Sequence, residues 1–191
     1  VHVGAYRTAD ALDLARHAAS SGAHAVSSLP PIGPWSFEEV RAYYSALAEA
    51  SSLPVLVYYF PEVSPAIRTE EQINELLAIP NVIGLKFTDF DLYRMSRIAL
   101  RGANIFNGRD EVLAAGMLMG AHGGIGTFYN LVPELFIKIF DCSRAGRWKE
   151  ARSTQDRVNE LIGILLRYPL IAGVKQVLSW QGIDCGPCAG P

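Results

Sequence analysis

The chain has 191 residues, of which 50% are hydrophobic and 19% are charged, and its formal net charge is -2. A hydrophobic share of this size supplies the core of one ordinary globular domain. The small net charge excludes the basic surface that nucleic acid binding requires, and no apolar run approaches the roughly 20 residues that span a bilayer.

The predicted elements alternate between short apolar strands and amphipathic helices. In chain order they are a strand at 1–4, a helix at 8–21, a strand at 23–29, a helix at 36–50, a strand at 54–60, a helix at 69–79, a strand at 82–88, a helix from 91, a strand at 104–107, a helix at 111–120, a strand at 123–126, a helix from 133, and helices at 148–167 and 170–181. Near-continuous apolar strands joined by helical crossovers predict a parallel sheet covered on both faces.

Three helix starts carry capping signals. Thr8 is predicted to cap the first helix, and Ser36 with Glu39 and Thr69 with Gln72 have the spacing of capping boxes. These signals fix where the helices begin and therefore where the preceding strands must end.

A doubly wound sheet and a (β/α)8 barrel both fit this alternation, and polar positions favour the barrel. Polar residues stand at or just after the C-terminal ends of successive strands: Tyr58, Lys86, Asp110, Glu111 and Thr127. Barrel active sites lie at these ends, and a barrel typically needs about 250 residues. We therefore expect an α/β barrel that lacks its first two units, with strands three to eight in residues 1–145 and a helical extension of the same domain in 146–191.

The start of the sequence and its cysteines suggest a location. The first residues have neither an initiator methionine nor the basic-then-apolar pattern of a signal peptide, and we interpret the beginning of the protein as missing. Three cysteines, an odd number, are typical of the reducing cytoplasm rather than of a disulfide scaffold. We therefore predict a cytoplasmic protein.

Lys86 interrupts the otherwise apolar strand 82–88. One interpretation is an edge-strand lysine whose stem lies along apolar surface while its ammonium group stays in water. The other is a nucleophile, because apolar surroundings disfavour the ammonium form and the free amine attacks a ketone to form an imine. An imine accepts electrons during carbon–carbon cleavage, so burial would serve chemistry here.

Tyr58 ends the preceding strand, shortly before the turn at Phe60. Side chains alternate along a strand, so Tyr58 and Tyr59 point to opposite sides and only one of them can face the barrel centre. A tyrosine in a strand is often a core or interface ring. Beside an imine-forming lysine, its hydroxyl could carry protons to and from the substrate.

Five segments together resemble one known family. They are V-Y-Y-F-P, G-L-K-F-T-D, F-N-G-R-D-E, G-G-I-G-T-F-Y-N and G-I-D-C-G-P-C, and they occur in the order found in the lysine-dependent, pyruvate-handling aldolases that include N-acetylneuraminate lyase and dihydrodipicolinate synthase. The resemblance implies a (β/α)8 barrel, usually a homotetramer, that needs no cofactor or metal. It also implies reversible aldol cleavage of N-acetylneuraminate, or a similar sugar acid, to pyruvate and an aldehyde sugar.

The resemblance also implies roles for individual residues. Lys86 matches the Schiff-base lysine, Tyr58 the proton-transferring tyrosine and Thr88 a sugar-contacting threonine. The binders of the polyol tail are matched by four further residues: Gly108, Asp110, Glu111 and Thr127. Thr127 stands where a lyase usually has serine. Acids at a helix start are also favoured by the helix dipole, so Asp110 and Glu111 have a purely structural interpretation as well.

Departures from the family pattern indicate which activity within the family to expect. Val63 stands where the synthase has a carboxylate-binding arginine, which favours the lyase. Ile32 and Gly33 replace tyrosines that relay protons in many members, and no G-T-T-G-E-like turn for the pyruvate carboxylate occurs. We therefore expect the isolated chain to be inactive, and other sugar-acid aldolases or dehydratases and a dihydrodipicolinate synthase-like activity remain alternatives.

Two hypotheses from other classes stay open. Cys185 and Cys188 form the C-G-P-C sequence of thiol redox proteins, although the chain ends three residues later, before any stabilising helix. A barrel that only binds sugar acids, as a sensor, is the second. Zinc is disfavoured because no second ligand pair accompanies the cysteines, and the histidines show no metal-ligand spacing.

Overall fold

The computed structural model describes residues 1–189. Within that range the elements are α1 (Thr8–Ser20), β1 (Val26–Ser28), α2 (Phe37–Ala50), β2 (Val55–Tyr59), α3 (Glu70–Leu77), β3 (Val82–Phe87), α4 (Leu92–Ala99), β4 (Asn104–Asn107), α5 (Leu113–Leu118), β5 (Gly123–Gly124), α6 (Pro133–Arg144), α7 (Trp148–Leu165) and α8 (Leu170–Trp180), with short 3₁₀ helices at Asp110–Val112 and Phe128–Asn130. The strand order β1-β2-β3-β4-β5 follows the sequence, and the β1–β2 and β2–β3 pairs are parallel. Helical crossovers between parallel neighbours give the predicted α/β architecture.

The chain divides into two compact units. The first is Val1–Phe106 with Met119–His122, and the second is Asn107–Leu118 with the described part of Gly123–Pro191. The predicted division into a barrel part, 1–145, and a helical extension, 146–191, stays a prediction, and residues 190 and 191 of that extension lie outside the described range.

The core of the first unit is formed by the strands and helices α1 to α4. Side chains with 1% exposure or less come from both kinds of element: Ala11, Ala15, Val26, Tyr44, Leu47, Val55, Tyr59, Leu76, Leu85, Phe87, Met95, Ile98 and Ile105. Removing this apolar surface from water is the main source of stability, and it fixes which side of each strand faces the helices.

Two expectations about the first unit are corrected. Residues 1–4 form no strand: a single bridge joins His2 to Ser27, in which the Val3 N–H donates to the Ser27 carbonyl and the Ser27 N–H donates to the Val1 carbonyl. Thr8 does not cap α1; it is the first helical residue, and Arg7 occupies the cap position without a side-chain bond. Both capping boxes, at α2 and α3, are confirmed.

The start of β3 is fixed by two unusual positions. Asn81 has a φ of 70°, and its Nδ2 donates to the Leu53 carbonyl at 2.9 Å, which compensates for the left-handed backbone. A side chain at Gly84 would collide with the backbone of Asn104, so glycine permits the close approach of the chain entering β4. Together they hold the register of the strand that carries Lys86.

The second unit has its own core. The members are buried apolar side chains from α5 to α8 and the second 3₁₀ helix: Leu113, Phe128, Leu131, Phe136, Ile139, Val158, Ile162, Leu165, Val174 and Leu178. Pro133 occupies the first turn of α6, as predicted, and the rings of Tyr129 and Phe136 stack at 3.9 Å.

Candidate active site

The first unit brings Lys86 and Tyr58 together as neighbours in the sheet. They are register partners in the parallel β2–β3 pair, so both side chains leave the sheet on the same side. The Lys86 Nζ lies 3.9 Å from the centre of the Tyr58 ring, over its electron-rich face. Lys86 is half-buried between two fully buried neighbours, Leu85 and Phe87. We call Lys86 and Tyr58 the amine pair.

Two further aromatic rings contact Tyr58. The Phe60 ring stacks on Tyr58 with centroids 6.1 Å apart, and the His2 ring meets Tyr58 edge-on at 5.8 Å. Burial, then the charge of Lys86, lower the pKa of His2, so the imidazole favours its neutral form. His2 was not predicted as a site residue, because its only signal in the sequence is a lone histidine in a strand-like segment.

Tyr59 lies on the opposite side of β2, as the alternation predicts. It is fully buried, packs against Phe87, accepts a hydrogen bond from Arg94 Nη1 at 2.6 Å and reaches Asp89 at 3.3 Å. Burial raises the pKa of Tyr59, and the bond from Arg94 opposes that rise. Tyr59 is therefore part of the protein interior, and Tyr58 is the tyrosine beside the lysine.

Thr88 follows β3 directly. Its backbone N–H donates to the Tyr59 carbonyl at 2.8 Å, and its side chain is 5% exposed. Among the described residues its Oγ1 has no hydrogen-bond partner. A buried hydroxyl without a partner is costly, and such groups in native proteins call for an explanation such as an ordered water or a ligand.

The second unit holds the remaining predicted site residues. Most of them lie in residues 108–111, which we call the acid turn. The Asp110 side chain is 6% exposed, and its carboxylate accepts from the Phe128 N–H at 2.8 Å. A side chain at Gly126 would collide with that carboxylate, so a glycine is required there. Burial, then the charge of Asp110, raise the pKa of Tyr129.

The other predicted site residues of the second unit are half-buried. Gly108 and Glu111 belong to the acid turn, and Thr127 precedes the second 3₁₀ helix without capping it. The Asn107 Nδ2 donates to the Arg109 carbonyl at 2.6 Å and closes the acid turn. The second unit thus contains two carboxylates, of Asp110 and Glu111, and the Thr127 hydroxyl, groups of the kind that bind polyols.

Helix α7 also contacts the acid turn, and the sequence alone does not predict this contact. Gln155 and Asn159 donate to the carbonyls of Asp110 and Glu111. The signal available in the sequence was a glutamine on the face of α7 that also carries Val158 and Ile162. Only the fold shows what that glutamine contacts, since it lies 45 residues from Asp110.

The cysteines and possible metal ligands complete the inventory. Cys142 is buried on α6, whereas Cys185 and Cys188 are exposed, and no helix follows Trp180 within residues 1–189. Lys175 Nζ donates to the carbonyls of Cys185 and Pro187, at 3.1 and 2.7 Å.

Within residues 1–189 no cluster of three or more histidine, cysteine, aspartate or glutamate side chains could hold a metal ion. No single described helix is long and apolar enough to cross a membrane; α7 and α8, bent by 112°, meet that test only as a pair.

Comparison with known proteins gives a consistent result along the whole chain. The Dihydrodipicolinate synthetase family matches residues 1–191. N-acetylneuraminate lyase of Rhizobium meliloti is 42% identical over 193 residues, which cover all of this chain and 64% of that protein. N-acetylneuraminate lyase 2 of Escherichia coli is 36% identical and is also covered to 64%.

Solved structures agree with the sequence matches. The whole chain matches 66% of the sialic acid aldolase of Ruminococcus gnavus with a TM-score of 0.93 and 30% identity. It matches 65% of N-acetylneuraminate lyase of Fusobacterium nucleatum, complexed with pyruvate, with a TM-score of 0.91 and 28% identity. The expected partial (β/α)8 barrel is confirmed, and the chain spans about two thirds of the length of these relatives.

Proposed function

Because the chain belongs to the dihydrodipicolinate synthetase family, we propose that it carries the catalytic lysine of a class I aldolase that cleaves N-acetylneuraminate or a similar sugar acid. The products are pyruvate and an aldehyde sugar, N-acetylmannosamine in the first case. The observation that supports this most directly is the amine pair, a half-buried lysine whose Nζ lies 3.9 Å above a tyrosine ring.

In this proposal the Lys86 amine attacks the keto carbon of the open-chain sugar acid. Loss of water gives a protonated imine, which draws electrons from the bond between the α and β carbons as that bond breaks. The hydroxyl on the departing carbon loses its proton and becomes the aldehyde. The remaining enamine takes up a proton at carbon, and hydrolysis of the imine releases pyruvate and the free amine.

Tyr58 moves the proton in this scheme. Its ring lies directly beneath the Lys86 amine, so its hydroxyl is held near any imine formed there. As a phenolate it accepts the proton from the substrate hydroxyl during cleavage and becomes a phenol, which then donates that proton to the enamine carbon and returns to the phenolate. Tyr59 cannot substitute for it, since its own hydroxyl is bound to Arg94 on the other side of the strand.

The other predicted site residues are proposed to bind the part of the substrate that lies beyond the bond that breaks. Thr88 supplies a buried hydroxyl that has no protein partner among the described residues. Gly108, Asp110, Glu111 and Thr127 are proposed to bind the hydroxyl groups of the polyol. Hydrogen bonds from a hydroxyl to a carboxylate are worth roughly 1.5–3 kcal/mol each, so two acids favour a hydroxylated substrate over pyruvate alone.

The decisive assay uses the protein in its natural full-length form. Incubation with N-acetylneuraminate is expected to release pyruvate and N-acetylmannosamine in equal amounts, and the reverse reaction should consume both. Aspartate semialdehyde with pyruvate serves as the competing substrate pair of a dihydrodipicolinate synthase. Turnover of that pair without cleavage of any sugar acid would reject the lyase assignment.

Three further properties are proposed with it. The 191 residues alone are expected not to turn over substrate, because they contain no turn of the G-T-T-G-E type for the pyruvate carboxylate; pyruvate release by this chain alone would refute that. The full-length protein is expected to be a homotetramer, testable by light scattering. A cytoplasmic location, supported by the three unpaired cysteines, is testable by cell fractionation.

A further inference from the structure

A polar pair on α7 stands out against an apolar helix face. Gln155 is 6% exposed and Asn159, one turn later, is half-buried, while Val158 and Ile162 on the same side belong to the core of the second unit. Burying an amide side chain is costly unless its polar atoms are hydrogen-bonded. The partners of these two side chains therefore indicate what the pair is for.

Both side chains are bonded to the acid turn and the helix that follows it. Gln155 Oε1 accepts from the Ala114 N–H at 3.1 Å, and its Nε2 donates to the Asp110 carbonyl at 2.9 Å and to Asn159 Oδ1 at 3.0 Å. Asn159 Nδ2 donates to the Glu111 carbonyl at 3.0 Å. The two amides thus bind three consecutive parts of the segment: both acidic residues and the first turn of α5.

We infer that Gln155, assisted by Asn159, is a positioning residue that fixes the backbone of Asp110 and Glu111 so that their side chains meet a polyhydroxylated substrate in one arrangement. The segment needs such support because it is a single 3₁₀ turn, whose own hydrogen bonds have poor geometry. Fixing a binding group before the substrate arrives lowers the entropic cost of binding. This inference rests on the proposed function, since it assigns the acid turn to the sugar end of the substrate.

The first test replaces Gln155 by leucine in the natural full-length protein. Gln155→Leu keeps the volume and removes all three hydrogen bonds, and we expect KM for N-acetylneuraminate to rise about ten-fold with kcat little changed. Thr154→Val is the matched control, because Thr154 is equally buried on α7 but bonds only to the Glu150 carbonyl of its own helix. The control is expected to retain the wild-type KM.

A second variant gives a readout that a purely structural role would not produce. Gln155→Glu keeps the acceptor for the Ala114 N–H, but the ionised carboxylate cannot donate to the Asp110 carbonyl, whereas the protonated form can. The ratio of its KM to the wild-type KM should therefore fall as pH is lowered. For Gln155→Leu the ratio should stay constant with pH.

The outcomes separate this inference from the function on which it rests. Borohydride trapping of pyruvate on Lys86 is expected in wild type and in every Gln155 variant; its absence in wild type would reject the proposed function itself. If trapping persists while both Gln155 variants keep the wild-type KM, the positioning role is wrong. Asn159→Ala, at a half-buried site with less risk to folding, should raise KM by a smaller factor, and an unchanged KM there and in Gln155→Leu contradicts the inference.

Discussion

The amine pair and the acid turn are built in different ways. Lys86 and Tyr58 are register partners on adjacent strands, so the backbone ladder of the sheet alone places one side chain over the other. The acid turn is not held by a backbone hydrogen-bond ladder between strands. Side chains of α7 and of Asn107 bond to its backbone, and the Asp110 carboxylate accepts from the Phe128 N–H in space that a side chain at Gly126 would fill.

The difference predicts how the two regions respond to mutation. Removing a functional group from the amine pair leaves the strand ladder intact, so chemistry should be lost without loss of stability. Changing a residue around the acid turn removes a bond that helps to define its shape, so substrate affinity and stability should change together. Matched pairs of variants test that contrast.

The largest effect is expected at Tyr58. Tyr58→Phe removes the proposed proton carrier, and kcat should fall by about 10²–10⁴-fold, the range of general acid–base catalysis, with no change in the urea midpoint. Tyr59→Phe is the control from the next position. It should retain kcat but lose roughly 0.5–1.5 kcal/mol of unfolding free energy, because the half-buried Arg94 loses this hydrogen-bond acceptor.

Equal losses of kcat in the two tyrosine variants would contradict the assignment. In that case each tyrosine would only support the strand. The alternation of side chains along β2 would then not distinguish a catalytic tyrosine from a buried packing tyrosine.

An intermediate effect is expected at Gly126. Gly126→Ala places a methyl group against the Asp110 carboxylate, and KM for the sugar acid should rise about ten-fold as that carboxylate is displaced, together with a lower urea midpoint. Gly163→Ala is the matched control on α7, where an added methyl group meets nothing within 4 Å. It should raise the unfolding free energy by up to about 1 kcal/mol, since alanine favours the helix.

The smallest effect concerns His2 and the pH dependence of stability. Its pKa is lowered from 6.5 in the folded chain, so below 6.5 the unfolded chain takes up a proton that the folded chain does not yet bind. Stability should therefore fall as pH drops from 6.5 through the lowered pKa of His2. Urea midpoints across that range measure this, and His2→Gln should show a weaker dependence; an identical dependence in the variant would refute it.

Part of the amine pair could be predicted from local signals. These were a lysine inside an apolar strand and the alternation by which only one of Tyr58 and Tyr59 can face the barrel centre, whereas the choice of Tyr58 came from the family resemblance. Both capping boxes depend on residues three apart. The structure places these side chains as expected. Residues 1–4 were predicted as a strand from their local apolar pattern. That pattern cannot specify how many backbone hydrogen bonds a neighbouring strand will form with them.

The support of the acid turn could not be predicted in this way. Asp110 and Glu111 were identified by resemblance, whereas Gln155 bonds to a backbone carbonyl 45 residues away and Gly126 is required by a carboxylate 16 positions earlier. Contacts of that kind depend on how helices pack, which is decided by the whole core rather than by spacing in the sequence. His2 was missed for a similar reason, since only the fold brings it to Tyr58.

The most direct test of the account is covalent trapping of the lysine. The natural full-length protein is incubated with pyruvate and sodium borohydride, digested and analysed by mass spectrometry, with Lys86→Met as the variant and Lys175→Met as the matched lysine control. The account predicts a stable carboxyethyl adduct on Lys86, present in the Lys175→Met protein and absent from Lys86→Met. An unmodified Lys86 in an enzyme that still releases pyruvate, or an adduct on another lysine, would contradict it.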